Sequence, residues 1–273
     1  MTDKDRRPIA WRRGFLLTAV SAALASPAFG QTAAPAPQQQ NSPTPAFSYD
    51  VVTVKPDPDG HGYFKLSLDS FSMGGMPAWV LIRSAYGVLL EDQVVGLPQW
   101  AKAELIAVQA KMDADTTRAL RKLPPMEQWI QMQLMLQAML ADRFALKAHR
   151  ETKDLPIYEL TVAKGGSKMK QTAPDSSGGN ANYASGKVTA HQISVESLAA
   201  NLSFAVGRVI VNKTGLEGGY DFTLDYAPDG ADASDTRPSI FTALEEQLGL
   251  KLVPAKGPVD VIVIDHIERA TAN

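Results

Sequence analysis

Two hydrophobic periodicities alternate along the chain after residue 46. Segments in which apolar and polar residues alternate one by one predict β-strands, because successive side chains on a strand point to opposite faces. Segments with apolar residues every three or four positions predict α-helices. Strands are predicted at residues 47–55, 63–68, 94–97, 104–111, 145–151, 157–164, 209–211 and 220–226, and helices at 78–86, 126–143, 195–205 and 238–248. Such a mixture indicates an α+β fold.

The most apolar of these helices is the one at residues 126–143. Apolar side chains cover most of its circumference, which is typical of a helix at the centre of a core. Its methionines, Met126, Met132, Met135 and Met139, have two possible uses: they pack in that core, or they line an adaptable hydrophobic groove for a ligand. Core packing is expected, because a helix that is apolar on most faces is normally covered.

The second half of the chain echoes the first. Tyr49–Lys55 returns as Tyr158–Lys164, and further along Leu198 aligns with Leu81. A chain that repeats one supersecondary unit can bury the apolar face of each copy against the other. We therefore expect two related, interlocked lobes, each made of antiparallel strands and two helices.

Each copy is expected to close with a β-hairpin. In the first, a turn at Lys153–Pro156 separates the strand ending at residue 151 from the strand that starts at Ile157. In the second, a turn separates Leu250–Lys251 from Pro258–Ile262. Because the strand at Ile157 ends one copy and opens the next, the copies should share one body. The expected lobes span residues 47–156 and 157–268, followed by a tail at 269–273.

The first 30 residues have the pattern of a twin-arginine export signal: two arginines, an apolar run and small residues at a cleavage point. The run is too short to span a bilayer, which takes about 20 apolar residues. We expect cleavage near residue 30, a periplasmic or extracellular protein that is exported already folded, and a disordered Pro/Gln-rich linker at 31–46. The residues that carry this prediction are Arg12, Arg13, Phe15, Leu16, Ala28 and Gly30.

Composition argues against several classes of function. The chain has no cysteine, so thiolates cannot hold an iron–sulfur cluster or a covalently attached haem. The formal net charge of −2 becomes more negative once the Arg-rich signal is removed, which argues against a surface for nucleic acid or anionic membranes. No cofactor and no metal site is predicted, because the 4 histidines are isolated from one another along the chain.

Four side chains are candidates for catalytic groups because of their positions on or next to predicted strands. His149 and Glu151 share one face of a predicted strand, and Asp265 and His266 follow the last predicted strand. Both pairs should therefore come near the seam, by which we mean the boundary between the two lobes. A hydrolytic site there would need these groups to converge, and sequence spacing alone does not show convergence. Solvated positions on a sheet surface are the expected alternative.

Several longer motifs resemble one known family, and they lie at residues 47–56, 81–88, 94–100, 140–152, 213–224, 243–252 and 256–268. They are similar to the acidobacterial soil-associated family of exported proteins of unknown function, and the helix-and-strand units resemble, less closely, the short N-terminal domain of secretins and TonB-dependent receptors. The resemblance implies no catalytic residues, because none is established for the family.

We therefore expect an exported, non-enzymatic binding or interaction module. Its partner would be a peptide, a glycan or another envelope component. A sensing role is implied by the resemblance, because a similar domain follows a membrane metallopeptidase in some proteins. Two alternatives are an envelope hydrolase with a site between the lobes and a structural envelope protein.

Overall fold

The structure, a computed structural model, describes residues 46–172, 179–232 and 234–270. The predicted signal peptide, including Arg12 and Arg13, lies outside the described residues, as do all but the last residue of the predicted linker and part of the predicted tail. The described residues belong to one compact unit.

Helices and strands are mixed along the described part of the chain, which confirms the α+β fold class. A 3₁₀ turn lies at Glu91–Gln93 and a π-helical turn at Leu244–Leu248. The helices are α1 Ala78–Tyr86, α2 Gln99–Ala103, α3 Ala114–Leu120, α4 Pro125–Phe144, α5 Val195–Val206 and α6 Ile240–Ala243. The strands are β1 Val51–Pro56, β2 Tyr63–Leu66, β3 Ser70–Pro77, β4 Val94–Val95, β5 Leu105–Lys111, β6 Lys147–Val162, β7 Lys170–Thr172, β8 Asn180–Ala184, β9 Lys187–Ile193, β10 Ile210–Asn212, β11 Gly219–Asp225 and β12 Leu250–His266.

Three of the predicted helices, α1, α4 and α5, are found within one residue of their expected bounds. The start of α5 is fixed as its sequence indicates: the hydroxyl of Ser194 accepts a hydrogen bond from the N–H of Ser197 at 3.2 Å. The helix predicted at 238–248 is shorter, because α6 gives way to the π-helical turn before Gly249 ends the segment.

The strands form three four-stranded sheets. The orders β1-β5-β3-β2 and β7-β11-β9-β8 are entirely antiparallel. The third sheet, β10-β6-β12-β4, has an antiparallel central pair with a short parallel strand on each side. In each half of the chain, a strand, a helix and a short strand follow one another, as β3–α1–β4 and β9–α5–β10.

This correspondence places Leu81 and Leu198 on helices with the same connections. The echo of Tyr49–Lys55 in Tyr158–Lys164 does not extend to the topology. The first segment contributes β1, which pairs with β5 at a sheet edge, whereas the second contributes the end of β6, which pairs with β12 and β10. Internal duplication and the lobe boundary at 156/157 therefore stay predictions, and that boundary falls inside a continuous strand.

The two predicted hairpins are wrong. Instead of turning at Lys153–Pro156, the chain continues as one 16-residue strand, β6, and the segment from Leu250 continues as one 17-residue strand, β12. The two strands pair with each other over their whole length. The turn prediction rested on proline-rich segments, and the register explains why those prolines do not end the strands.

Prolines in this strand pair occupy positions where no ladder hydrogen bond is lost. The N–H of Tyr158 bonds Val209 O at 2.9 Å, on the side away from β12. Alternate residues point their N–H groups in the same direction, so the ring nitrogen of Pro156 also faces away from β12. Pro254 lies opposite Tyr158, and Pro258 is four residues further on, so the same holds for β12 relative to β6.

Two large hydrophobic cores lie at opposite ends of the β6/β12 pair. The first takes most of its residues from the first half of the chain but includes Ile262 and Ile264 of β12. The second takes its residues from β6 onward and includes Leu160, Leu250 and Leu252. Strand β12 therefore contributes to both cores, and Ala148 of β6 packs against the first core.

Candidate functional site

Three of the four side chains singled out from the sequence meet on the β6/β12 pair. His149 Nδ1 lies 2.9 Å from Asp265 Oδ2, and His149 Nε2 lies 3.0 Å from Glu151 Oε1. Asp265 reaches the ring because the register shifts between Ile264 and His266, so that Asp265 is the extra residue of a β-bulge. A bulge re-aims one side chain without breaking the strand.

His266 does not join this cluster. It lies opposite Lys147 across the strand pair, and its Nε2 is 2.8 Å from Glu268 Oε1. The structure therefore brings His149, Glu151 and Asp265 together and leaves His266 apart from them.

The contacts of His149 favour its charged form. An imidazole that bonds a carboxylate through each ring nitrogen is a double donor, so it carries two protons. The hydrogen bond to Asp265, followed by the one to Glu151, raises the pKa of His149 above its ordinary value. Conversely, the hydrogen bond from His149, followed by that from Lys153, lowers the pKa of Glu151. When both of its protons are present, the ring has no free lone pair with which to act as a base or a metal ligand.

The cluster is also open to solvent. The side chains of His149, Glu151 and Asp265 are 22%, 42% and 49% exposed. An enzyme site usually holds such groups in a concave pocket, and here they lie on an open strand surface. In the described ranges, no group of three or more His, Cys, Asp or Glu side chains is arranged to hold a metal ion.

Replacing His149 by glutamine is expected to flatten the pH dependence of stability above about pH 6.5. A pKa raised on folding gives stability that is fully present below the unfolded pKa and is lost as the pH rises through the folded pKa. Urea denaturation at a series of pH values, roughly pH 6 to 9, measures this. The effect should be small because the groups are solvated.

His61→Gln is the matched control, since His61 is exposed and distant in sequence from the cluster. It should keep the wild-type dependence on pH. If the free energy of unfolding of His149→Gln changes with pH as steeply as that of the wild type, the proposal of a protonated ring is contradicted. An unprotonated ring nitrogen, observed by NMR near neutral pH, would contradict it as well.

A second candidate site is a cleft of about 490 Å³ between α1, α4 and α5. It also touches β2 and the start of β6, so both halves of the chain contribute to its wall. Its principal side chains are three exposed aromatic rings, one partly buried tyrosine and two arginines: Phe64, Trp129, Phe204, Tyr86, Arg83 and Arg150.

Arg83, one of the residues that line the cleft, lies against two aromatic rings. Its guanidinium carbon is 5.3 Å from the ring centroid of Trp79 and 5.3 Å from that of Phe204. Its Nη1 donates to Leu89 O at 2.9 Å, whereas its Nε is buried without a hydrogen-bond partner among the described residues. Burial lowers the pKa of Arg83 from its ordinary value, although a guanidinium stays protonated at neutral pH.

Arg150 adds a second positive charge to the same cleft. Its Nη2 donates a hydrogen bond to Tyr86 O. No Asp or Glu of the described part of the chain lines the cleft, and neither arginine has an ion-pair partner among the described residues. The cleft is therefore apolar, aromatic and positively charged.

The exposed end of α4 extends this surface. Trp129 and Ile130 are each 45% exposed, and Met126 is 69% exposed, so the expectation that this helix is covered on most faces is wrong for its first turns. The other methionines, Met132, Met135 and Met139, are buried, which confirms core packing for them. The first turns of α4 are exposed because the residues of this helix that pack in the core start at Met132.

Sequence reasoning missed this cleft as a site. One signal was available: the buried stripe of α5 runs through Val195, Leu198, Ala199 and Leu202, and Phe204 lies off that stripe. A large aromatic residue on the polar side of an amphipathic helix indicates a contact outside the core. The proximity of Phe204 to Arg83 has no sequence signal.

A comparison with protein-family models finds a match over residues 80–267 to a family described as "Protein of unknown function (DUF3738)". The match covers more than half of the chain, and it includes Arg83, Trp129, Arg150 and Phe204. Comparisons with curated proteins and with solved structures found no match. The expectation of an uncharacterised family is confirmed. None of the helices that the structure describes is long and apolar enough to cross a membrane.

Proposed function

We propose that this chain, which belongs to the DUF3738 family of proteins of unknown function, is a binding module that holds its ligand in the cleft between α1, α4 and α5. The observation that carries the proposal is the exposure of Phe64, Trp129 and Phe204 around one cavity, at 38%, 45% and 49%. Clustered exposed apolar surface costs free energy in water and typically marks a binding site. A volume of about 490 Å³ is in the range of small-molecule sites.

The hydrolase alternative receives less support. It would use His149 with Glu151 and Asp265, but both ring nitrogens are engaged by carboxylates at 2.9 and 3.0 Å. A general base must accept a proton from its substrate. When protonated, His149 instead bonds both carboxylates, and its bond to Asp265 joins β6 to β12.

Location and ancestry are part of the same proposal. The resemblance to exported acidobacterial proteins supports a periplasmic or extracellular module, with a peptide, glycan or envelope component as its partner and sensing as its role. The matching order of β3–α1–β4 and β9–α5–β10 supports an internal duplication. The cleft then lies where the two equivalent helices, α1 and α5, come together.

Binding to arrays of short peptides and of bacterial envelope glycans tests the proposal. We expect the wild-type protein to bind a subset of these compounds, and both Trp129→Ala and Phe204→Ala to weaken that binding by about tenfold or more, because truncating a central aromatic contact removes most of its burial. Isothermal titration calorimetry with the best compound gives the affinities.

Phe241→Ala is the matched control. Phe241 is an aromatic residue of similar exposure, 41%, on α6, and it does not line the cleft. Its truncation should leave the affinity unchanged. The proposal is overturned if no compound on either array binds, or if the cleft variants bind as tightly as the Phe241→Ala control.

A further inference from the structure

We infer that the ligand of this cleft carries a carboxylate on an apolar body, either as a free small carboxylic acid or as the C-terminal residue of a peptide. The inference rests on the proposed function, because it names the ligand of the same site. It depends on the charges in the cleft, on the hydrogen-bonding groups that line it and on its apolar surface.

The charge of the cleft is uncompensated. Arg83 and Arg150 both line it, and no carboxylate of the described residues does. Partial burial removes water from the charged Arg83 guanidinium, which is unfavourable, and no ion pair among the described residues compensates for this loss of hydration. A ligand carboxylate would recover that loss, and the planar guanidinium fork matches carboxylate geometry better than an ammonium does.

The position of Arg83 fits this role. Its guanidinium lies against the rings of Trp79 and Phe204 and donates to Leu89 O, so its orientation is set before a ligand arrives. A preorganised donor loses less side-chain entropy on binding.

The hydrogen-bonding groups of the cleft favour an acceptor on the ligand. The guanidiniums of Arg83 and Arg150 can only donate, and an ionised carboxylate can only accept. Ser84 and Gln133 also line the cleft. The Ser84 hydroxyl donates to Val80 O at 2.8 Å and the Gln133 amide nitrogen to Ser84 O at 3.4 Å, and the side-chain oxygens of both residues stay able to accept. A carboxylate therefore matches the two charged donors of this wall better than a neutral sugar hydroxyl does.

The rest of the wall is apolar. Leu66, Val88 and Leu89 line the cleft together with the aromatic rings. Such a surface binds an aliphatic or aromatic group by removing it from water. The combination of two guanidiniums and an apolar wall defines the ligand as an apolar carboxylate.

The test compares acids with their neutral amides. The probes are 3-phenylpropionate against 3-phenylpropionamide, and acetyl-Gly-Leu-Phe with a free C-terminal carboxylate against the same peptide with a C-terminal amide, each titrated by calorimetry into the full-length protein. We expect the carboxylate of at least one pair to bind about tenfold or more tightly than its amide, and the preference to shrink as salt is added. The pair with the larger preference identifies the source, a small acid or a peptide end.

Variants of the two arginines show which of them binds the ligand carboxylate. Arg83→Met and Arg150→Met should each reduce the acid-over-amide preference, while Arg83→Lys should keep part of it because the charge remains but the fork does not. Arg208→Met is the matched control: Arg208 also lies over an aromatic ring, that of Tyr158, at 4.8 Å, but it does not line this cleft. The wild-type acid–amide comparison does not depend on whether any variant folds.

The outcomes separate the two proposals. If acid and amide bind equally and Trp129→Ala weakens both, the cleft is a binding site but the carboxylate inference is wrong. The inference is equally wrong if neither probe pair binds while an array compound binds in the cleft. If neither probes nor array compounds bind, both proposals fail.

Discussion

Replacing Leu198 by alanine is expected to destabilise the protein by about 2 to 5 kcal/mol and to do so for the whole molecule. Leu198 is completely buried in the second core, and Leu81 is completely buried in the first. Both cores contain residues of β12, so the loss of packing in one should weaken the sheet on which the other depends. Leu81→Ala should therefore have a similar effect.

The tryptophans make this prediction measurable. Trp79, Trp100 and Trp129 all lie in the first half of the chain, and the remaining one, Trp11, lies in the predicted signal peptide. Tryptophan fluorescence therefore reports the unfolding of the first half, while far-UV circular dichroism reports both. If the molecule unfolds as one unit, Leu198→Ala lowers the urea midpoint of the fluorescence transition as much as that of the dichroism transition.

Val51→Ala is the control for this experiment. Val51 is an apolar residue that is 59% exposed, so its truncation should change the free energy of unfolding by less than about 0.5 kcal/mol. A fluorescence transition that stays at the wild-type midpoint in Leu198→Ala would show that the halves unfold separately, against the interlocked arrangement.

The second large effect is expected at Gly249, which ends the helical turn before β12. Its φ is 65°, and a Cβ at this position would lie 2.0 Å from Gly166 O. Alanine there pays about 1 to 2 kcal/mol for the left-handed conformation. The added Cβ also displaces the turn at Gly166. Two hydrogen bonds of 2.9 Å hold this turn in place, one from Ala163 N to Gly249 O and one from Lys168 N to Leu248 O. With each bond worth about 1 kcal/mol, the total loss should be about 3 to 4 kcal/mol.

Gly207→Ala separates the two contributions. Gly207 ends α5 with a φ of 61°, and nothing lies within 4 Å of the Cβ position. It should cost only the conformational part, about 1 to 2 kcal/mol. Urea denaturation of both variants gives the difference, and equal losses would mean that the contact with Gly166 is not a constraint.

Local patterns were sufficient to predict much of the fold. The helices α1, α4 and α5 follow from apolar spacing and end signals, which are properties of neighbouring residues. The hairpins failed because Pro156 and Pro258 stop a strand only where their missing N–H would face a partner. That direction depends on the register between β6 and β12, whose paired residues are about a hundred positions apart along the chain.

The candidate site divides in the same way. Glu151 lies two positions from His149 on one strand, so their contact could be predicted from alternation alone. Asp265 reaches His149 only through a bulge 116 residues away. The cleft could not be predicted, because Phe204 meets Arg83 only through the packing of two helices that are far apart along the chain. The exposure of the first turns of α4 could not be predicted either, because it depends on where along this helix the core contacts begin, which is at Met132.

The pairing of β6 with β12 has a consequence for how the chain acquires its structure during synthesis. Ile262 and Ile264 complete the first core, yet most of that core is made of residues that leave the ribosome far earlier. The early half cannot close on its own and must remain partly open until β12 has been made. Contacts so distant along the chain make folding slow and leave apolar surface exposed meanwhile. During that interval we expect chaperones to bind the exposed apolar surface of the nascent chain, whichever compartment the finished protein occupies.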